Sequence, residues 1–130
     1  MPTNNWDAVI TSLYPVDFNT KTPADTVEAG KEFDIVADIE VGPEINAFAV
    51  RDTLSVAVRN LSQSTIAFTK AQTRTLTPAQ SRRTEQLTVK VPANWPVNSG
   101  DLLEIVATYR FEAGVYTDHS SLRSATFIVV

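Results

Sequence analysis

The sequence predicts an all-β protein in which about seven antiparallel strands form two packed sheets. Three observations predict it. Residues 102–111, LLEIVATYRF, alternate strictly: Leu103, Ile105, Ala107, Tyr109 and Phe111 share one face, and Leu102, Glu104, Val106, Thr108 and Arg110 share the other. Turn signals recur roughly every 8–12 residues, the rhythm of a sandwich. Stretches of helical period long enough to cover a parallel sheet are absent.

Length and composition bound the answer. The 130 residues suit a single domain, 1–130, large enough to bury a real core. Thr, Val and Ile are abundant, which favours strands. The absence of cysteine excludes disulfides, thiolate metal sites and a Cys nucleophile. A net charge of −4 argues against nucleic acid as a partner. The opening MPTNNWDAVITS has no basic segment followed by an apolar run, so it does not read as a signal peptide. No stretch approaches the ~20 apolar residues of a membrane helix. The expectation is a chain with no membrane insertion. It is cytoplasmic unless it is a fragment of a secreted protein or leaves by another route.

The charge is uneven. Residues 1–44 carry nine acids against Lys21 and Lys31, and the remainder carries six acids against nine bases. An acidic strand beside a basic one explains this most simply. An acidic patch for a cation or a basic partner is the alternative.

The elements follow in order. Residues 1–8 are polar and expected to fray, with Trp6 able to pack down. Residues 8–15, AVITSLYP, form a short strand ended by Pro15, and 16–25 is a connection or edge containing Pro23. After the Gly30-Lys31 turn, Phe33, Ile35, Ala37, Ile39 and Val41 alternate with Asp34, Val36, Asp38 and Glu40, giving one oily face and one largely acidic face. Gly42-Pro43 ends that strand. The loop 42–53 is longer than a hairpin needs and carries Ile45, Phe48 and Val50, either to close the core or to present an aromatic.

Residues 53–60 are a strand with Leu54, Val56 and Val58 inward. Asn60-Leu61-Ser62 has the form of a glycosylation acceptor, which without a secretory signal reads as chance. Residues 65–76 are a strand anchored by Ile66 and Phe68, and 86–91 a strand with Leu87, Val89 and Val91 inward. Pro92 and Pro96 bracket a crossover whose Trp95 plugs the bottom of the sandwich. Residues 115–130 return as one long bulged strand or as a loop followed by SATFIVV.

Residues 76–111 carry Leu76, Pro78, Val91-Pro92-Ala93 and Gly100, and residues 27–41 carry Val27, Gly30, Phe33 and Ile35. In this pattern the chain resembles Ig-like modules of bacterial surface and secreted proteins, with Ala79 where those modules usually have Gly. The resemblance implies an Ig-like β-sandwich with adhesion, spacing or carbohydrate-associated roles and no catalytic residues. Strands 33–41, 54–60, 87–91, 102–111 and 122–130 would then be B, C, E, F and G. The antibody-type Cys pair and strand-C Trp are missing, so any relation to receptor domains is architectural.

That order places loop 42–53 and connection 112–121 at one end, presenting Glu44, Asn46, Phe48, Arg51, Asp52, Glu112, Tyr116, Asp118 and His119. Aromatic rings beside carboxylates and an amide suit a sugar, or a protein surface; an ordinary polar rim is the plain alternative. His119 is the single histidine, and neighbours on an extended chain point apart, so Asp118, His119 and Ser120 do not read as a hydrolytic triad. A calcium site in the loops would use Asp52 or Asp118; no metal or other cofactor is expected. Cross-strand pairing of Asp34, Asp38 and Glu40 with Lys90, Arg82 and Arg83 accounts for the acidic strand better than an ion does, since alternate strand residues lie roughly 7 Å apart. The expectation is a non-enzymatic module acting by protein–protein interaction or self-assembly. The interface would be a sheet face containing Val36, Val106, Thr108 and Arg110, with carbohydrate binding at the loop end as the alternative.

Overall fold

Nine strands and one helical turn make up the computed structural model, which describes residues 4–18 and 20–130. Three strands form the smaller sheet, antiparallel in the order β1 (Ala8–Val16), β3 (Phe33–Val41), β6 (Arg83–Val91). The larger sheet runs β2 (Thr26–Val27), β9 (Phe127–Val129), β7 (Leu102–Ala113), β4 (Ala49–Asn60), β5 (Thr65–Thr75), with β8 (Tyr116–Arg123) also on β7. The helical turn α1 (Pro43–Asn46) joins β3 to β4. This all-β, two-sheet arrangement is consistent with a β-sandwich. Among the described residues, no helix is long and apolar enough to cross a membrane.

One core joins the two inner faces. Leu103, Ile105, Ala107, Tyr109 and Phe111 of β7 are all buried in it, as alternation requires of a strand flanked on both sides. β4 and β3 supply facing rows, Leu54, Val56, Val58 and Phe33, Ile35, Ala37, Ile39, Val41. Trp95 closes the bottom, edge-on to Phe33 at 5.5 Å, its indole N–H donating to the Lys31 carbonyl at 2.7 Å. Asn60 is buried and donates to Asp101, so the Asn60-Leu61-Ser62 sequence presents no accessible acceptor.

Several expectations change. Val36 was assigned to an exposed face and is fully buried. The segment between β1 and β2 folds back across the outer side of the small sheet, where Lys21 donates to Thr88 Oγ1 at 2.7 Å and Phe18 lies under the Lys90 ammonium. Asp34 is buried there too and pairs with Lys90 at 3.7 Å; Glu40 pairs with Arg82 at 2.9 Å. Ile66 was assigned inward and is exposed, because a bulge between Val58 and Arg59 shifts the β4–β5 register and sets it opposite Arg59. Phe68 packs against the core.

The long loop 42–53 is short in fact: α1 fills its start and β4 begins at Ala49. Connection 112–121 is mostly strand, turning in two residues at Gly114-Val115, with Gly114 at φ 64°. The stretch 115–130 is two strands: β8 and β9 succeed each other along β7, and Ser124 bridges the break by accepting the Ile105 N–H at 2.9 Å. Of residues 1–8, expected to fray, 1–3 lie outside the described residues. Asn5 and Asp7 accept backbone N–H groups from Glu44, Ile45 and Gly42.

Candidate functional site

Three exposed aromatic rings meet at the end of the molecule where β1 begins and β3 ends. Trp6 stacks on Phe48 with ring centres 6.1 Å apart and planes 12° apart, and Tyr116 meets Trp6 edge-on, also at 6.1 Å. Trp6, Phe48 and Tyr116 are 44, 57 and 45 % exposed, and Val115 beside Tyr116 is fully exposed.

Each ring has a local cause. Gly42 lets the Asn4-Asn5 backbone lie against the turn into α1. A Cβ there would press on the Asn4 carbonyl oxygen and stand 2.5 Å from the Asn5 carbonyl carbon and oxygen. Pro43 suits the first position of a helical turn; α1 buries Ile45 and Asn46, and Phe48, two residues past its end, is exposed. The Gly114-Val115 turn presents Val115 and Tyr116 from the large sheet.

The residues expected to form one loop site divide. Phe48 and Tyr116 come together, and Glu44 is exposed on α1. Asn46 and Asp52 do not join them. Asn46 is buried, donating to the Ser81 carbonyl at 3.0 Å and accepting from Arg83 Nε at 3.0 Å. Asp52 lies on the inner face of β4, where Arg74 donates at 3.0 and 2.6 Å and the Tyr109 hydroxyl at 2.6 Å. Asp118 accepts the Ala8 N–H at 2.8 Å, tying β8 to β1. His119 points the other way, paired in register with Arg110 on the outer face of the large sheet, so it shares no site with Asp118. Val106, Thr108 and Arg110 occupy that outer face, and Val36 does not.

Asp52 is the centre of a buried network of charged and polar groups. Its hydrogen bonds raise the Arg74 guanidinium above its usual value, against the cost of burial. Burial, and then the bond to Asp52, push the Tyr109 hydroxyl up. Burial works against the Glu85 carboxylate, but Arg74 and Arg83, at 2.5 and 2.7 Å, together hold it below the usual range. These groups are committed to one another and join β4, β5, β6 and β7. Asp52 and Asp118 are likewise spent as internal acceptors, and among the described residues no group of three or more His, Asp or Glu side chains could hold a metal ion.

Trp6, expected only to pack down, is not among the residues that the sequence places at this end. Its signal was a lone indole among Asn4, Asn5 and Asp7 just ahead of a strand. A groove of about 530 Å³ lies at the opposite end, around Phe18, Val27, Phe33 and Val130, and shares no residue with the trio. No protein-family model matches the chain, and a search of curated proteins finds none similar to it in sequence.

Proposed function

We propose that the chain is a non-enzymatic, Ig-like β-sandwich module that binds a protein partner through its aromatic end. The observation carrying this is the exposed Trp6–Phe48–Tyr116 cluster, held by a rigid turn on one side and a two-residue hairpin on the other. The few residues that dominate binding at protein interfaces are enriched in Trp and Tyr. Three on one end form a surface of the kind that marks an interaction site. The Ig-like reading is supported by how the strands divide. Strands 33–41 and 87–91 share one sheet, while 54–60, 102–111 and 122–130 share the other, as B and E divide from C, F and G.

Carbohydrate is the second reading, because exposed rings can stack on sugars. A sugar also needs polar groups for its hydroxyls. Asn46, Asp52 and Asp118, the groups expected to serve, are held in internal bonds. That weighs toward a protein.

The test compares wild-type protein with Trp6→Ala, Phe48→Ala and, as a control at the opposite end, Glu28→Ala. A partner isolated with the wild type should lose about 30-fold in affinity for each aromatic variant, equivalent to ~2 kcal/mol for an interface anchor, and be unaffected by the control. Binding on a glycan array that disappears with the same two variants would replace protein by carbohydrate. Partners held equally by all variants would sink both readings.

A further inference from the structure

The outer face of the large sheet carries a charge arrangement at odds with the acidic whole. Arg51 and Arg110 flank Glu112 at 3.7 and 3.8 Å, and Arg59 and Arg123 flank Glu104 at 3.5 and 3.9 Å. These are two Arg–Glu–Arg triplets, each of net charge +1, on a chain of net charge −4. The four arginine side chains are 53, 52, 44 and 67 % exposed in the order named, while Glu112 and Glu104 beneath them are 23 and 13 % exposed. A partner therefore meets guanidinium. All four pairs are longer than a good N–H···O bond, which leaves donors uncommitted.

Between the triplets the face is flat and small. Ser55, Ala57, Thr69, Ala71, Val106 and Thr108 line a shallow depression across β5, β4 and β7. Glu104 and Glu112 are eight residue steps apart along β7, about 26 Å at strand rise. The small sheet is covered on its outer side by the segment after β1; this face has no such cover among the described residues.

We propose that this face docks an acidic polypeptide segment, with the small residues allowing close approach and the two triplets fixing orientation. Charge complementarity selects the occupant. A second copy placed face to face would set one cationic triplet against another. Duplex DNA carries a charge per ~1.7 Å, far denser than two net positive charges over this span, and would also meet both glutamates. An acidic polypeptide fits both the sign and the spacing. The inference is independent of the aromatic end.

Poly-L-glutamate with a fluorescent label is the test ligand, titrated with the full chain. The expected result is saturable binding at 50 mM salt that weakens at least about tenfold by 300 mM. Arg110→Ala/Arg123→Ala, and separately Arg51→Ala/Arg59→Ala, should each weaken it at least about tenfold while circular dichroism stays that of the wild type. Trp6→Ala and Lys21→Ala should bind as the wild type does, which separates this face from the aromatic end. The proposal is overturned by no binding at 50 mM salt, or by unchanged binding in both double variants. Tighter binding to duplex DNA of equal length, or dimers of the free chain that the double variants dissociate, would overturn it as well.

Discussion

Asp52 lies on the inner face of β4 in phase with Leu54, Val56 and Val58, with 2 % of its surface exposed. A strand expected to start at Thr53 leaves it in the loop. Extending the alternation one step back would have placed it inward, opposite Arg74 on β5 and Phe111 on β7. What no alternation shows is that Tyr109 and Arg74 converge on it. Removing either leaves a buried carboxylate short of a donor. Arg74→Ala should cost on the order of 3 kcal/mol, the low end for breaking a buried pair, because about a third of the Arg74 side chain stays in water. Tyr109→Phe keeps the ring packing and should cost about 1–3 kcal/mol through the lost hydrogen bond alone. Urea denaturation of the two variants checks both values. A loss below 0.5 kcal/mol for each, within the ordinary range of surface substitutions, would mean the network does not hold the sheets together.

At the scale of elements, strands with one wet face were legible and their ends were not. Alternation carried β7, β3 and the middle of β4 because period two is local information. The covering of Val36 was not legible: it depends on a polar segment folding back over the sheet, and nothing in that segment's pattern says so. The bulge that turns Ile66 outward is equally silent in sequence. The turn into α1 is a case where a single residue sets an element. Gly42 has φ −64° and ψ 153°, a backbone open to any residue, so its need for glycine is one of space and not of backbone strain. Gly42→Ala should push the Asn4–Asp7 backbone away, cost about 1–3 kcal/mol as overpacking does, and unstack Trp6 from Phe48. In a Trp95→Phe background Trp6 is the sole indole, so the prediction is a red-shifted emission and faster acrylamide quenching for the Gly42 variant. An unchanged spectrum would show that the segment does not need the close approach.

For the whole molecule, the two sheets are joined along their sides by bonds that no sequence pattern foretells. Asp118 and Ser120 accept the Ala8 and Ile10 N–H groups at 2.8 and 3.1 Å, across 110 residues of chain. On the other side Gln72 donates to the Thr88 carbonyl, and Arg74 reaches Glu85. This is why the two-sheet class was readable while half of the expected site was not: Asn46, Asp52 and Asp118 look like ligands until their internal partners are known. Hydrogen-bonded side chains also set how stability responds to pH. Asp101 is held below its usual value, first by Asn60 and then by the Asn98 N–H and Gln63, and Glu85 is also lowered. A carboxylate lowered on folding contributes stability that is complete above its unfolded value and disappears as pH falls through the folded one. Tyr109 is raised on folding, so its contribution is complete below its ordinary value of 10.0 and declines as pH rises beyond it, where the unfolded chain ionises first. Melting temperature should therefore be level from about pH 5 to pH 9, fall on the acid side below the ordinary Glu85 value of 4.5, and fall again above pH 10. Glu85→Gln should make the acid limb shallower and leave the share of Asp101, and Tyr109→Phe should make the alkaline limb shallower, each leaving the other limb in place. A profile whose limbs do not respond separately to the two substitutions would place the pH dependence elsewhere than at Glu85 and Tyr109.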